Sequence, residues 1–275
     1  MEIVNSVREA LPLFQNPLPN KVIGFRSIAI DFINQNVLTF LGRFHRFFAS
    51  CETTLHINKE KSIKGRKAII DGRILKFVVL TIWPMFKDTI RVMSFNTNTF
   101  RQMRKLAPSI LDDCPSLRVV AFDGTILPKL PPYDSASASN DKTVAKWLFT
   151  PRPDNLRKVL IIENSSVENS AVDQWLATLE QIKAAFSSAS SPVSFVISVN
   201  SNSESSSSLS SFVPFELTNQ LTGEKLALSH YGNGIMLVRC PIGEGSDLEE
   251  EIEQLIDGRK NKIEISITKD CVDNG

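Results

Sequence analysis

The chain has 275 residues, 42% of them apolar, which is enough for one large domain or two small ones with a core needing no disulfide or metal. Its formal net charge of +1 excludes a global field that would gather nucleic acid or an anionic membrane. The cysteines Cys51, Cys114, Cys240 and Cys271 are widely spaced with no C-x-x-C, so buried reduced thiols are expected rather than a zinc site.

No basic segment followed by an apolar core opens the chain, and no apolar run reaches the ~20 residues that span a bilayer. A cytoplasmic or nuclear protein is expected, in which the sequon at Asn164-Ser165-Ser166 is incidental.

Residues 1–21, with Pro12, Pro17 and Pro19, read as an irregular lead-in. A strand is expected over Val22–Ile33 and a helix over Val37–Phe48, where Val37, Phe40, Leu41, Phe44 and Phe48 form one stripe. Leu55–Ile57 returns as a strand, and the run Lys59–Arg73 reads as a basic, solvated loop. An apolar pattern spans Ile74–Phe86 and stops near Trp83-Pro84; Thr89–Phe95 is the next strand. The helix expected over Phe100–Leu111 contains Pro108, which should kink or split it.

A recurrent unit follows: helix, polar joint, β-branched strand. It appears as 100–111, Asp112-Asp113-Cys114-Pro115 and 116–122, and its strand ending recurs at 155–162 and 191–198. Helices are expected from Asp141 through Trp147 and over Val172–Phe186. The Ser-rich stretch 200–211 reads as a flexible loop. Phe212–Thr218, Lys225–His230 and Ile235–Cys240 read as an antiparallel meander turning at 221–224 and 232–234. An acidic helix Asp247–Ile256 and a strand Lys262–Thr268 follow.

The fold class is therefore α/β: irregular leucine-rich-repeat-like strand–helix units over 22–199, with parallel pairing, then an antiparallel α+β region over 212–275, in one continuous domain. A compact α/β domain is the alternative.

Catalytic signals are sparse. His45 sits between Arg43 and Arg46, whose charges oppose its protonation, and His56 and His230 fall in strands. No H-E-x-x-H, G-x-S-x-G or P-loop occurs. The acids Asp247, Glu249, Glu250, Glu251 and Glu253 suit a helix N-terminus better than a cation loop. The sequence assigns no catalytic, cofactor-binding or metal-ligating residue. Trp147 and Trp175 read as core and Trp83 as packed at a helix end, and Tyr133 in the proline-rich loop fits packing on the scaffold better than exposure to a partner, the alternative.

Several segments resemble an F-box protein family expanded in nematodes. They are Asn16–Phe25 (NPLPNKVIGF), Ala145–Arg152 (AKWLFTPR), Phe212–Glu224 (FVPFELTNQLTGE), Leu237–Ile242 (LVRCPI) and Asp270–Gly275 (DCVDNG), in the family's order. The resemblance implies the substrate-recognition region of a ubiquitin-ligase receptor, a non-enzymatic protein-interaction module. The first matching segment begins at Asn16, while an F-box needs roughly forty residues of helix, so none is expected here and adaptor binding is doubtful. The acidic segment after Ile242 lacks the family's tryptophans. Two other classes stay open: a hydrolase or transferase using the acidic residues, and nucleic-acid binding through Lys59–Arg73 with Arg101, Arg104 and Lys105.

Overall fold

The structure is a computed structural model that describes residues 3–4, 10–11, 27–30, 39, 41–42, 53–58, 72–124, 126–130, 139–164, 169–201, 212–244, 250, 254–255 and 262–266. It is mixed α/β. In chain order the elements are β1 (Ile3–Val4), β2 (Ala10–Leu11), β3 (Ser27–Ile30), β4 (Thr53–Asn58), α1 (Gly72–Phe77), a π-helical turn (Val78–Ile82), α2 (Trp83–Phe86) and β5 (Ile90–Asn96). They continue as α3 (Thr97–Leu106), β6 (Val119–Asp123), α4 (Asn140–Phe149), β7 (Lys158–Asn164), α5 (Asn169–Ser187) and β8 (Phe195–Ser201). The last are β9 (Phe215–Asn219), β10 (Glu224–Tyr231), β11 (Gly234–Pro241) and β12 (Lys262–Ser266). The chain divides into two compact units: Met1–Ser94 with Asp113–Leu117 and Asp257–Gly275, and Phe95–Asp112 with Arg118–Ile256.

In the first unit the strand order is β3–β12–β4–β5. The final strand lies between two early ones, parallel to both: Ile263 is level with Ile28 and Leu55, and Ile265 with Ile30 and Ile57. The alternation of Ile263 and Ile265 drives this insertion, since both are buried, as are Leu55 and Ile57. This corrects the expected antiparallel ending for 212–275, because β12 pairs in parallel with β3 and β4 rather than with the meander. Of the helix expected over 37–48, only Thr39, Leu41 and Gly42 are described, all helical, with Leu41 buried.

The apolar run 74–86 is helical and ends at Phe86, shortly after Trp83-Pro84, as expected. Proline cannot donate a hydrogen bond, and its ring clashes with the carbonyl four residues earlier. The π turn Val78–Ile82 meets this constraint by widening the helix just before Pro84, and the Trp83 N–H reaches back to the Val78 carbonyl. Val78, Val79, Ile82, Trp83 and Phe86 face inward.

In the second unit Asn96 caps α3, its side chain accepting from the Asn98 N–H at 2.9 Å. The helix stops at Leu106, short of the expected Leu111. Ala107 precedes Pro108 and leaves the α region, and Ile110 and Leu111 are buried from a turn instead. Phe95, Phe100 and Phe122 form a ring cluster with centroids 5.1–6.1 Å apart.

The strand order here is β6–β7–β8–β11–β10–β9. β6, β7 and β8 are parallel, with Val120, Leu160 and Ile197 level across them, and α4 and α5 make the crossovers in sequence. The other pairings, β8–β11, β11–β10 and β10–β9, are antiparallel, as expected for the meander. Gly234, which opens β11, has no room for a side chain: an added Cβ would collide with the Val199 carbonyl.

Candidate functional site

A groove of about 360 Å³ opens in the second unit, lined by Pro151, Arg152, Asn155, Leu156, Pro192, Val193, Ser194, Glu224 and Pro241. Its walls are the loop after α4, the lead into β8 and the ends of β10 and β11.

The first wall is set by proline chemistry. Pro151 and Pro153 end α4, and the Thr150 hydroxyl folds back to donate to the Lys146 carbonyl at 2.7 Å. Arg152 grips Asp154 with two hydrogen bonds of 2.8 and 2.6 Å, and the same carboxylate accepts from the Leu156 N–H at 3.1 Å. That Arg152 bond holds the Asp154 carboxyl at about 2, below the ordinary carboxylate value. Asn155 takes a left-handed backbone, φ 57°, which asparagine tolerates better than most residues, and this leaves the Leu156 side chain exposed. Beneath the loop the buried Lys158 ammonium donates to the Trp147 and Thr150 carbonyls and closes the C-terminal end of α4. Burial lowers its pKa to about 8.

The second wall rests on a buried ion pair. Glu224 and Arg239 are 2% and 3% exposed and meet through two hydrogen bonds of 2.6 and 3.1 Å to one carboxylate oxygen. The other oxygen accepts from the Val193 N–H at 2.7 Å, so the carboxylate sets the backbone that enters β8. Arg239 also donates to the Ser191 carbonyl at 3.2 Å and lies over the Phe186 ring, 5.2 Å from its centroid. Asn219 completes the frame. Its amide donates to the Phe186 and Ala189 carbonyls at 2.8 and 2.9 Å, while its oxygen accepts from the Leu221 and Thr222 N–H groups. The end of α5 and the β9–β10 turn are thereby tied to one side chain.

The lining of the groove is mixed in character. Three prolines, Leu156 and Val193 supply apolar contact that loses no conformational freedom on binding at the prolines, and Arg152, Asn155 and Ser194 supply polar contact. The carboxylate in its wall is already committed to Arg239 and Val193.

The residues singled out in the sequence do not gather here. Arg101 and Lys105 are exposed on α3, but Arg104 is buried and donates to the Asn140 side chain at 3.2 Å, so the three do not form one basic face. Glu250 is exposed and accepts from Gln254. Asp247, Glu249, Glu251, Glu253, Tyr133, His45, Cys51, Cys271 and the loop 59–71 lie outside the described residues. His56 is half-buried on β4 and His230 exposed on β10. Cys114 and Cys240 are buried thiols whose pKa values rise, chiefly through burial. Trp83, Trp147 and Trp175 are core. Among the described residues no group of three or more His, Cys, Asp or Glu is placed to hold a metal ion, and no helix is long and apolar enough to cross a membrane.

Sequence reasoning missed Glu224, Arg239 and Asn219. A signal existed: Arg239 lies within the otherwise apolar run Ile235–Cys240, and a cation buried in such a strand needs a carboxylate partner. Three of the segments that carry the family resemblance do reach the groove. Ala145–Arg152 contributes Pro151 and Arg152, Phe212–Glu224 contributes Glu224, and Leu237–Ile242 contributes Pro241. No protein-family model matches the chain, and no curated protein matches it.

Proposed function

We propose that the chain is a protein-interaction module, similar to the substrate-binding part of an F-box ubiquitin-ligase receptor, that acts by holding a protein target rather than by chemistry. The meeting of the Ala145–Arg152 segment with the Glu224–Pro241 end of the β10–β11 hairpin carries this reading, since that segment is distant in the chain from the hairpin, whose own two segments meet as register partners. The parallel run β6–β7–β8 with intervening helices supports an irregular leucine-rich-repeat-like array as its scaffold. The target is an extended segment with apolar side chains that pack against Pro151, Leu156, Val193 and Pro241.

The test is quantitative capture of partners with the wild-type chain and with Leu156→Asp. Leu156 is exposed, so this substitution should change stability by no more than about 0.5 kcal/mol. Proteins retained by the wild type and lost with Leu156→Asp support the groove; an identical set retained by both overturns it. A pull-down of the cullin adaptor then separates a ligase receptor from a decoy that holds targets without delivering them to the ligase.

A further inference from the structure

A different surface, independent of the groove, carries an inference about self-association. β9 ends the strand order of the second unit, and among the described residues it pairs with β10 alone. An edge strand turns alternate N–H and C=O groups away from its one neighbour, and these are open to pairing with another strand. The protection of β9 is confined to its shortness, the carboxylate of Glu216 and Pro214 just before it. The strand has five residues, Phe215-Glu216-Leu217-Thr218-Asn219, with one charge. The most exposed large apolar residues among those described flank it: Val213 at 79% and Leu221 at 82%.

The strand is complementary to itself. Antiparallel pairing of two copies centred on Leu217 sets Phe215 opposite Asn219 and Glu216 opposite Thr218, so no like charges meet. Val213 and Leu221 lie equally far from Leu217 on either side, so the same symmetry brings Val213 of one copy towards Leu221 of the other. Charge fits as well. Lys225 is the neighbour of Thr218 on β10, so each Glu216 of one copy would face a Thr218 with a lysine behind it in the other. Within one copy the Glu216–Lys225 pair is long, 4.0 Å, and Glu216 is largely exposed.

We propose that β9 is a homodimerisation edge: two copies of this chain pair their β9 strands antiparallel about Leu217, joining their sheets across a twofold axis.

The test is sedimentation equilibrium of the full chain over a wide concentration range, with far-UV circular dichroism to confirm folding. The wild type should show a reversible monomer–dimer equilibrium. Thr218→Glu puts a carboxylate opposite Glu216 of the other copy twice per dimer, while its own neighbour Lys225 favours it within the monomer. It should weaken the dimer about tenfold. Adding Glu216→Lys restores opposite charges across the axis and should return the dissociation constant to near the wild-type value. Leu221→Asp, outside the strand, should also weaken the dimer and serves if Thr218→Glu does not fold. A wild type that stays monomeric throughout overturns the proposal. So does a Thr218→Glu variant that dimerises as tightly as the wild type, or a charge-swapped double variant that fails to recover.

Discussion

The two halves of the second unit's sheet are held in different ways. Across β6, β7 and β8 the level residues are Val120, Leu160 and Ile197, then Phe122, Ile162 and Val199, a buried apolar ladder whose buried polar members, Lys158 at the start of β7 and Ser198 on β8, form no ion pair with each other. Across β8, β11, β10 and β9 the apolar ladder continues, but buried polar residues are set into it: Glu224, Arg239 and Asn219. Apolar burial is non-directional, so it stabilises many near-equivalent packings. A carboxylate that must meet a guanidinium and a named N–H accepts one geometry, and the groove forms where that geometry is imposed. The Glu224–Arg239 pair and Asn219 thereby give the groove its shape.

Single truncations test the contrast first and most strongly. Phe122→Ala in the parallel half and Glu224→Ala in the antiparallel half should each cost about 3–5 kcal/mol in chemical denaturation, one through a cavity and the other through an unpaired buried guanidinium. The double variant Glu224→Leu/Arg239→Met separates the mechanisms. Removing both charges should recover most of the loss, leaving about 1–3 kcal/mol for the Val193 N–H that no longer has its acceptor. A double variant as unstable as Glu224→Ala would mean that the pair supplies stability as well as shape. Asn219→Ala should cost about 1–3 kcal/mol, because the Phe186 and Ala189 carbonyls and the Leu221 and Thr222 N–H groups lose their partner together.

A further effect depends on pH. The Lys158 pKa is depressed to about 8 in the fold against 10.5 for the free side chain, so the unfolded chain binds more protons between those values. This residue's penalty is fully present below pH 8, and relief should raise stability as pH climbs from 8 towards 10.5. Cys114, with its thiol pKa raised by burial, drives stability the other way above pH 9. The informative quantity is therefore the difference between the wild type and Lys158→Met, which should shift in favour of the wild type across that window. A difference that does not change with pH would show that Lys158 titrates alike in both states.

Most elements were legible because each is coded locally. The stripe Trp175, Leu179, Ile182 and Phe186 marks α5, and the Gly232-Asn233 turn marks the β10–β11 hairpin. Two features were not legible, for separate reasons. The placement of β12 between β3 and β4 depends on pairing between residues distant in sequence, and alternation at Ile263 and Ile265 names a strand without naming its neighbours. The groove is made from loop residues such as Asn155, Pro192 and Pro241, which have no periodicity to read. The π turn before Pro84 was not legible either, since nothing in the run 78–82 marks a widened turn in place of a regular one.

The insertion of β12 also sets an order of events during synthesis. β3 and β4 leave the ribosome early, but the strand that separates them is among residues 262–266. Until those residues emerge, two strand edges face each other across a one-strand vacancy, each able to capture a wrong partner. The sheet of the first unit therefore cannot be completed until its final strand has been made, and that strand removes both edges at once.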